Sequence, residues 1–177
     1  MKILITVIDD RYRGEYSMIR QALREANLDV DVACVEDINV NATYVITNGI
    51  SIDKLCDFDG LAIIGGYRMY YAVTGKKPPR RNLNLSISLS IVENIVKHYY
   101  DKDKLIIAPL AVPALLAKMK ILEGKEATVY PTTDLIRILS ENGVIFKNVP
   151  VVKNGNVITM KRPCVNELLQ ILKGEMS

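Results

Sequence analysis

The chain has 177 residues, 49% of them hydrophobic, which suits one ordinary domain with enough apolar material for a sizeable core. Its 23 basic and 20 acidic residues leave a formal charge of +3, too slight to make a polyanion-binding surface, so nucleic acid is not an implied partner. No apolar run approaches the roughly 20 residues needed to span a bilayer, and Met1-Lys2-Ile3-Leu4-Ile5 meets Asp9-Asp10 before a signal-peptide core can develop; the expectation is one cytoplasmic domain over residues 1–177, with no membrane partner.

Residues 2–8 are apolar except for Lys2 and Thr6 and rich in β-branched side chains, the pattern of a buried parallel strand. Ile19, Ala22, Leu23 and Ala26 then repeat at helical spacing, predicting a helix over 14–26 with Asn27 as its left-handed stop. Residues 29–35 read as a second strand, and 39–50, weakly alternating around Tyr44-Val45-Ile46 and ending at Asn48-Gly49, as a short excursion or edge strand. The apolar strand Leu61-Ala62-Ile63-Ile64 ends in Gly65-Gly66, and Leu85, Leu89, Val92 and Val96 mark one stripe of a long helix over 84–100.

Leu105-Ile106-Ile107-Ala108 is the next strand, followed at once by Pro109-Leu110-Ala111-Val112 and a helix with Pro113 in its first turn. Ala127-Thr128-Val129 begins a further extended stretch, and Thr132 or Thr133 can cap a helix through Leu139. Residues 149–152 and 157–159 make a hairpin about Asn154-Gly155, and Val165, Leu168, Leu169 and Leu172 give a final helix its buried stripe. Strands and helices in alternation imply an α/β fold, a mostly parallel central sheet covered on both faces, with ligand sites at the carboxyl ends of the strands.

Three strand ends therefore matter: the segment from Ile8 to Glu15, Gly65-Gly66, and the segment from Ala108 to Pro113. An acidic residue early in the first helix, a strand ending in Gly-Gly, and the run Pro113-Ala114-Leu115-Leu116-Ala117 after the strand-turn-helix together resemble the DJ-1/PfpI family, from Lys2 to about Leu172. Gly124-Lys125-Glu126-Ala127-Thr128, Tyr130-Pro131 and the hairpin stretch from Val151 to Thr159 follow in family order. The resemblance implies the class I glutamine amidotransferase-like fold, a flavodoxin-like three-layer α/β/α sandwich, and a homodimer.

The family usually carries a cysteine three residues before that proline, followed by histidine or a small residue; here Leu110 and Ala111 stand in those places, and Tyr130 matches a further family histidine. A strand-to-helix turn serves as a nucleophile elbow only if its tip bears an activatable thiol or hydroxyl, and leucine has neither. Glu15 aligns with the family glutamate that contacts the thiol. By itself Glu15 reads equally as an exposed first-turn glutamate favoured by the helix dipole, whereas desolvation against Leu110 would raise its proton affinity and let a neutral carboxyl donate to a ligand.

Gly65 and Gly66 are a plain chain reversal or, as the resemblance implies, a close backbone approach giving an N–H to an oxyanion, with a second N–H from Ala111. Cys164, at the start of the last helix where a thiol's pKa can fall, is a substitute nucleophile or a small buried hydrophobe. Lys161-Arg162 can face an anion held over the Gly-Gly donors or simply lie on the surface. Tyr67-Arg68-Met69-Tyr70-Tyr71 followed by the basic run from Lys76 to Arg81 can attract an acidic ligand or RNA, or form a solvated loop, which the small overall charge favours. His98 has no serine or cysteine at catalytic spacing and receives no catalytic role.

Cys34, Cys56 and Cys164 show no CxxC spacing, and no dinucleotide or P-loop glycine pattern is present, so neither metal nor cofactor is expected. The first functional expectation is a non-catalytic family member with a binding, regulatory or oligomeric role, its ligand a small carbonyl compound or anion, contacting Glu15, Gly65, Gly66, Tyr67, Ala111, Tyr130 and Arg162. The second is a hydrolase or glyoxalase-like enzyme using Cys164 or Glu15.

Overall fold

The structure is a computed structural model that describes residues 1–9, 14–36, 40–77 and 85–174. Strand β1 (Lys2–Val7) is followed by α1 (Glu15–Glu25), β2 (Asp29–Cys34), a short β3 (Tyr44–Val45) with one turn of 3-10 helix, and the four-residue α2 (Ile52–Leu55). Then come β4 (Gly60–Ile64), α3 (Gly66–Thr74), α4 (Leu85–Asp101), β5 (Leu105–Pro109) and α5 (Val112–Lys118). The chain continues through β6 (Glu126–Ala127), α6 (Thr133–Glu141), β7 (Ile145–Phe146), β8 (Val151–Asn154), β9 (Val157–Met160) and α7 (Val165–Leu172).

Seven strands form one sheet in the order β3-β2-β1-β4-β5-β9-β8, parallel throughout except for the β8–β9 hairpin. Every residue of β4 is buried, and β1 is buried after Lys2, which explains why these strands read as apolar runs without alternation. One face of the sheet (Ile3, Ile5, Val7, Ala62, Ile64) packs on α1 and α7 through Ile19, Leu23, Leu168 and Ile171. The other face (Leu4, Leu61, Ile63, Ile106, Ala108) packs on α3, α4, α5 and α6 through Met69, Val96, Leu116 and Leu139. The fold is thus the expected flavodoxin-like three-layer α/β/α sandwich. Each such aliphatic side chain taken out of water contributes about 1.5–3 kcal/mol.

Local signals hold at several boundaries. Asn27 stops α1 at φ +58°, Thr132 Oγ1 accepts the Leu135 N–H at 3.2 Å to cap α6, and Gly155 turns the hairpin at φ +58°. The excursion after β2 is the edge strand β3, although its first residue, Asn39, lies outside the described residues, as does Asn84 before α4. One expectation is corrected: Tyr67 to Tyr71 is not part of a loop but the body of α3, which starts directly at Gly66. Tyrosines have only middling helix propensity; what fixes the helix is Met69 and Val73 buried under the sheet at i and i+4. The extended stretch at Ala127 pairs with β7 in a separate two-stranded sheet that the sequence pattern did not reveal.

Candidate functional site

Strands β4 and β5 lie side by side and parallel, so their carboxyl ends release two turns next to each other. The β5 turn is sharp: Leu110 has φ +59°, its N–H donates to Met160 O at 2.9 Å, and its carbonyl accepts the Tyr130 N–H at 2.9 Å. This left-handed conformation, costly for a residue with a Cβ, is the elbow geometry the sequence anticipated, and Leu110 is at its tip. Ala111 follows as the buried N-cap of α5.

The β4 turn is built around Glu15. This first residue of α1 has no solvent exposure, which settles its position against a surface glutamate at a helix start. Its Oε1 accepts the Gly65 N–H at 3.2 Å and its Oε2 accepts the Gly66 N–H at 3.1 Å. Burial pushes its carboxyl up from 4.5 to about 8; the two N–H bonds pull it down, and the charge of Asp9 adds to the rise. The glycines are required sterically. A Cβ on Gly66, at φ +57°, would sit 2.5 Å from Asp9 O, and one on Gly65 would sit 2.4 Å from Met69 Cβ. The expected oxyanion donors at Gly65 and Gly66 are therefore spent on Glu15, and Glu15 itself lies behind the glycine backbone.

Between the two turns opens a cavity of about 320 Å³, lined by Tyr67, Tyr70 and Tyr71 of α3, by Leu110 and Ala111, and by Tyr130, Thr132 and Leu135 leading into α6, with Gly66 at its edge. Of the residues expected to bind ligand, Gly66, Tyr67, Ala111 and Tyr130 line it, and Gly65 and Glu15 stand behind it. Arg162 is exposed, with its guanidinium 5.7 Å from the centre of the Tyr130 ring. Tyr70 and Tyr71 meet edge to face, and the Tyr70 hydroxyl donates to Asp134 Oδ2 at 3.2 Å, an oxygen that also receives the Lys76 ammonium. The Lys76 end of the basic run is thus ion-paired, while Pro78 to Arg81 lie outside the described residues.

One expectation fails here, the activated Cys164, and His98, which was given no catalytic role, lies elsewhere. Cys164 is half-buried among the side chains packed on the α1 and α7 face, and its thiol donates to Arg162 O at 3.1 Å. Burial and the charge of Glu167 push its pKa up, outweighing the opposing influence of Arg162, so the helix start does not activate it. His98 borders an open groove of about 540 Å³ with Lys2, Asp31 and Phe58 at the amino ends of the strands, away from the cavity. Among the described residues, no group of acidic, cysteine or histidine side chains could hold a metal ion, and no helix is long and apolar enough to cross a membrane.

Sequence reasoning missed a buried clamp and part of the cavity wall. Arg68 is 4% exposed; its guanidinium grips both carboxylate oxygens of Glu36 at 3.1 and 3.2 Å, and its N–H reaches Asp9 Oδ2 at 3.2 Å. This joins the ends of β1 and β2 to the first turn of α3. Tyr70 and Tyr71 were within reach: with Tyr67 they fall at i, i+3 and i+4, the spacing of one helix face.

The fold and the paired turns at the ends of β4 and β5 define a flavodoxin-like α/β protein with an elbow-type site. The DJ-1/PfpI family model matches residues 1–170, and the chain belongs to that family. It is 33% identical over 181 aligned positions to the uncharacterized protein MJ0967 of Methanocaldococcus jannaschii, covering 97% of this chain and 81% of the relative. In fold it is similar to Drosophila melanogaster DJ-1beta, at TM-score 0.69 and 23% identity over 98% of this chain and 89% of that one. It is similar also to Schizosaccharomyces pombe DJ-1, at TM-score 0.70 and 20% identity over 100% and 93% of the two chains.

Proposed function

We propose that this chain is a non-catalytic, small-molecule-binding member of the DJ-1/PfpI family, working in the cytoplasm as a homodimer. The observation that carries the reading is Leu110. A strained left-handed turn is kept at the end of β5, yet the side chain it presents to the cavity is an aliphatic one that can neither attack a carbonyl nor be ionised. Backbone strain of this kind marks functional positions, and here it positions a hydrophobic wall instead of a nucleophile.

The enzymatic alternative draws no support from the two residues that would have to replace the nucleophile. Glu15 has both oxygens occupied by backbone N–H groups, and Cys164 packs on the other face of the sheet with a raised thiol pKa. The test is a paired assay of glyoxalase and peptidase activity on the native protein and on Leu110→Cys. The expected result is no turnover by the native chain; robust native turnover would overturn the reading, and activity in the variant alone would show that only the reactive atom is missing. The homodimer is checked by light scattering on a sizing column, where a single-chain mass would refute it.

A further inference from the structure

We propose that the cavity beside Leu110 takes a small, neutral, planar aromatic ring. This rests on the reading of that cavity as a ligand pocket and goes beyond it by naming the class of occupant. The walls that decide it are the rings of Tyr67, Tyr70, Tyr71 and Tyr130 and the side chains of Leu110 and Leu135. Flat π-surfaces and aliphatic methyls favour another flat apolar body, which gains both area burial and offset or edge-to-face ring contacts. At about 320 Å³ the cavity is at the small end of ligand pockets, roughly 300–1,000 Å³, which fits one ring or a fused pair.

Ionic occupants are disfavoured by what surrounds the cavity. Two of the backbone donors that an anion would use, the N–H groups of Gly65 and Gly66, end on Glu15, and the Arg68 N–H at the same helix start ends on Asp9. A cation drawn to the tyrosine faces meets the Arg162 guanidinium already lying over Tyr130. The carboxylate of Asp134 is occupied by Lys76 and by the Tyr70 hydroxyl. An ion entering here loses hydration, and the Arg162 guanidinium that an anion would meet is exposed, where solvent screens the attraction.

The test uses the intact protein and three small probes: indole, benzoate and tetramethylammonium. The chain contains no tryptophan, so fluorescence excited beyond tyrosine absorption reports indole alone. The expected result is saturable indole binding with ring-current shifts of the Leu110 and Leu135 methyl resonances. Binding should weaken about fivefold in Tyr67→Ala, whose ring is half exposed and removable without harm to the core, and similarly in Tyr130→Ala. Benzoate and tetramethylammonium should each bind at least about tenfold more weakly. Either ion binding as tightly as indole, with the methyl resonances responding, would overturn the ring class and leave a small-molecule pocket standing. No methyl response to any of the three would overturn both. Turnover in the paired assay bears only on the absence of catalysis, so the two readings fail separately.

Discussion

The ends of β4 and β5 pass through nearly the same positive φ, Gly66 at +57° and Leu110 at +59°, yet they tolerate opposite residues. After β4 the turn is pressed against Asp9, whose carbonyl oxygen would be 2.5 Å from any Cβ on Gly66, so only glycine fits. After β5 the turn faces the cavity, and a leucine side chain is accommodated there at 6% exposure. Positive φ by itself costs a non-glycine residue roughly 1–3 kcal/mol; a close backbone approach is what makes glycine obligatory. The β4 turn is a sealed structural joint with its donors satisfied by Glu15, and the β5 turn is a presented surface.

If that contrast is right, Gly66→Ala should be the most damaging change, costing about 4 kcal/mol or more because strain and a backbone clash combine. Chemical denaturation would check it, and a loss no larger than that of an ordinary surface substitution would erase the distinction between the turns.

Next comes Glu15→Ala, which leaves the Gly65 and Gly66 N–H groups buried without an acceptor and should cost about 3 kcal/mol. Glu15→Gln, keeping one acceptor oxygen, should lose about half of that. The same residue should govern pH dependence. Its folded carboxyl is raised to about 8 from 4.5, so the native state holds a proton that the unfolded chain releases. Its contribution to stability is therefore fully present below about 4.5, declines as pH rises, and levels off above about 8. Denaturation midpoints measured from pH 5 to pH 9 should fall, and Glu15→Gln should flatten the profile.

Leu110→Gly should have a smaller effect, a net loss of about 1 kcal/mol, because relief of the left-handed strain offsets part of the lost apolar burial. A large loss would mean that the leucine is a core residue and not a lining. The smallest effect concerns Cys164: native protein should react with iodoacetamide no faster than a free cysteine, in keeping with its raised pKa. Rapid modification at neutral pH would reopen the case for a substitute nucleophile.

The sequence by itself determined the layers, because a strand buried on both faces must be almost wholly apolar, as β4 is and as β1 is apart from Lys2 and Thr6, and a covering helix must carry one stripe, as Ile19, Ala22 and Leu23 do. It also exposed the aliphatic tip at Leu110, since a side chain without thiol or hydroxyl is a matter of residue type. What it could not reach was direction. Glu15 reads alike as a solvated helix start and as a buried acceptor until α1 is packed against the β4 turn. Arg68 looks like one more surface cation until its fork meets Glu36. The tyrosines of α3 and Tyr130 lie some sixty residues apart and become one wall only when parallel β4 and β5 bring their ends together. Residue type and period are local and written in the chain; burial, partners and the shape of a cavity depend on which distant segments the sheet sets side by side, and those only the tertiary structure decides.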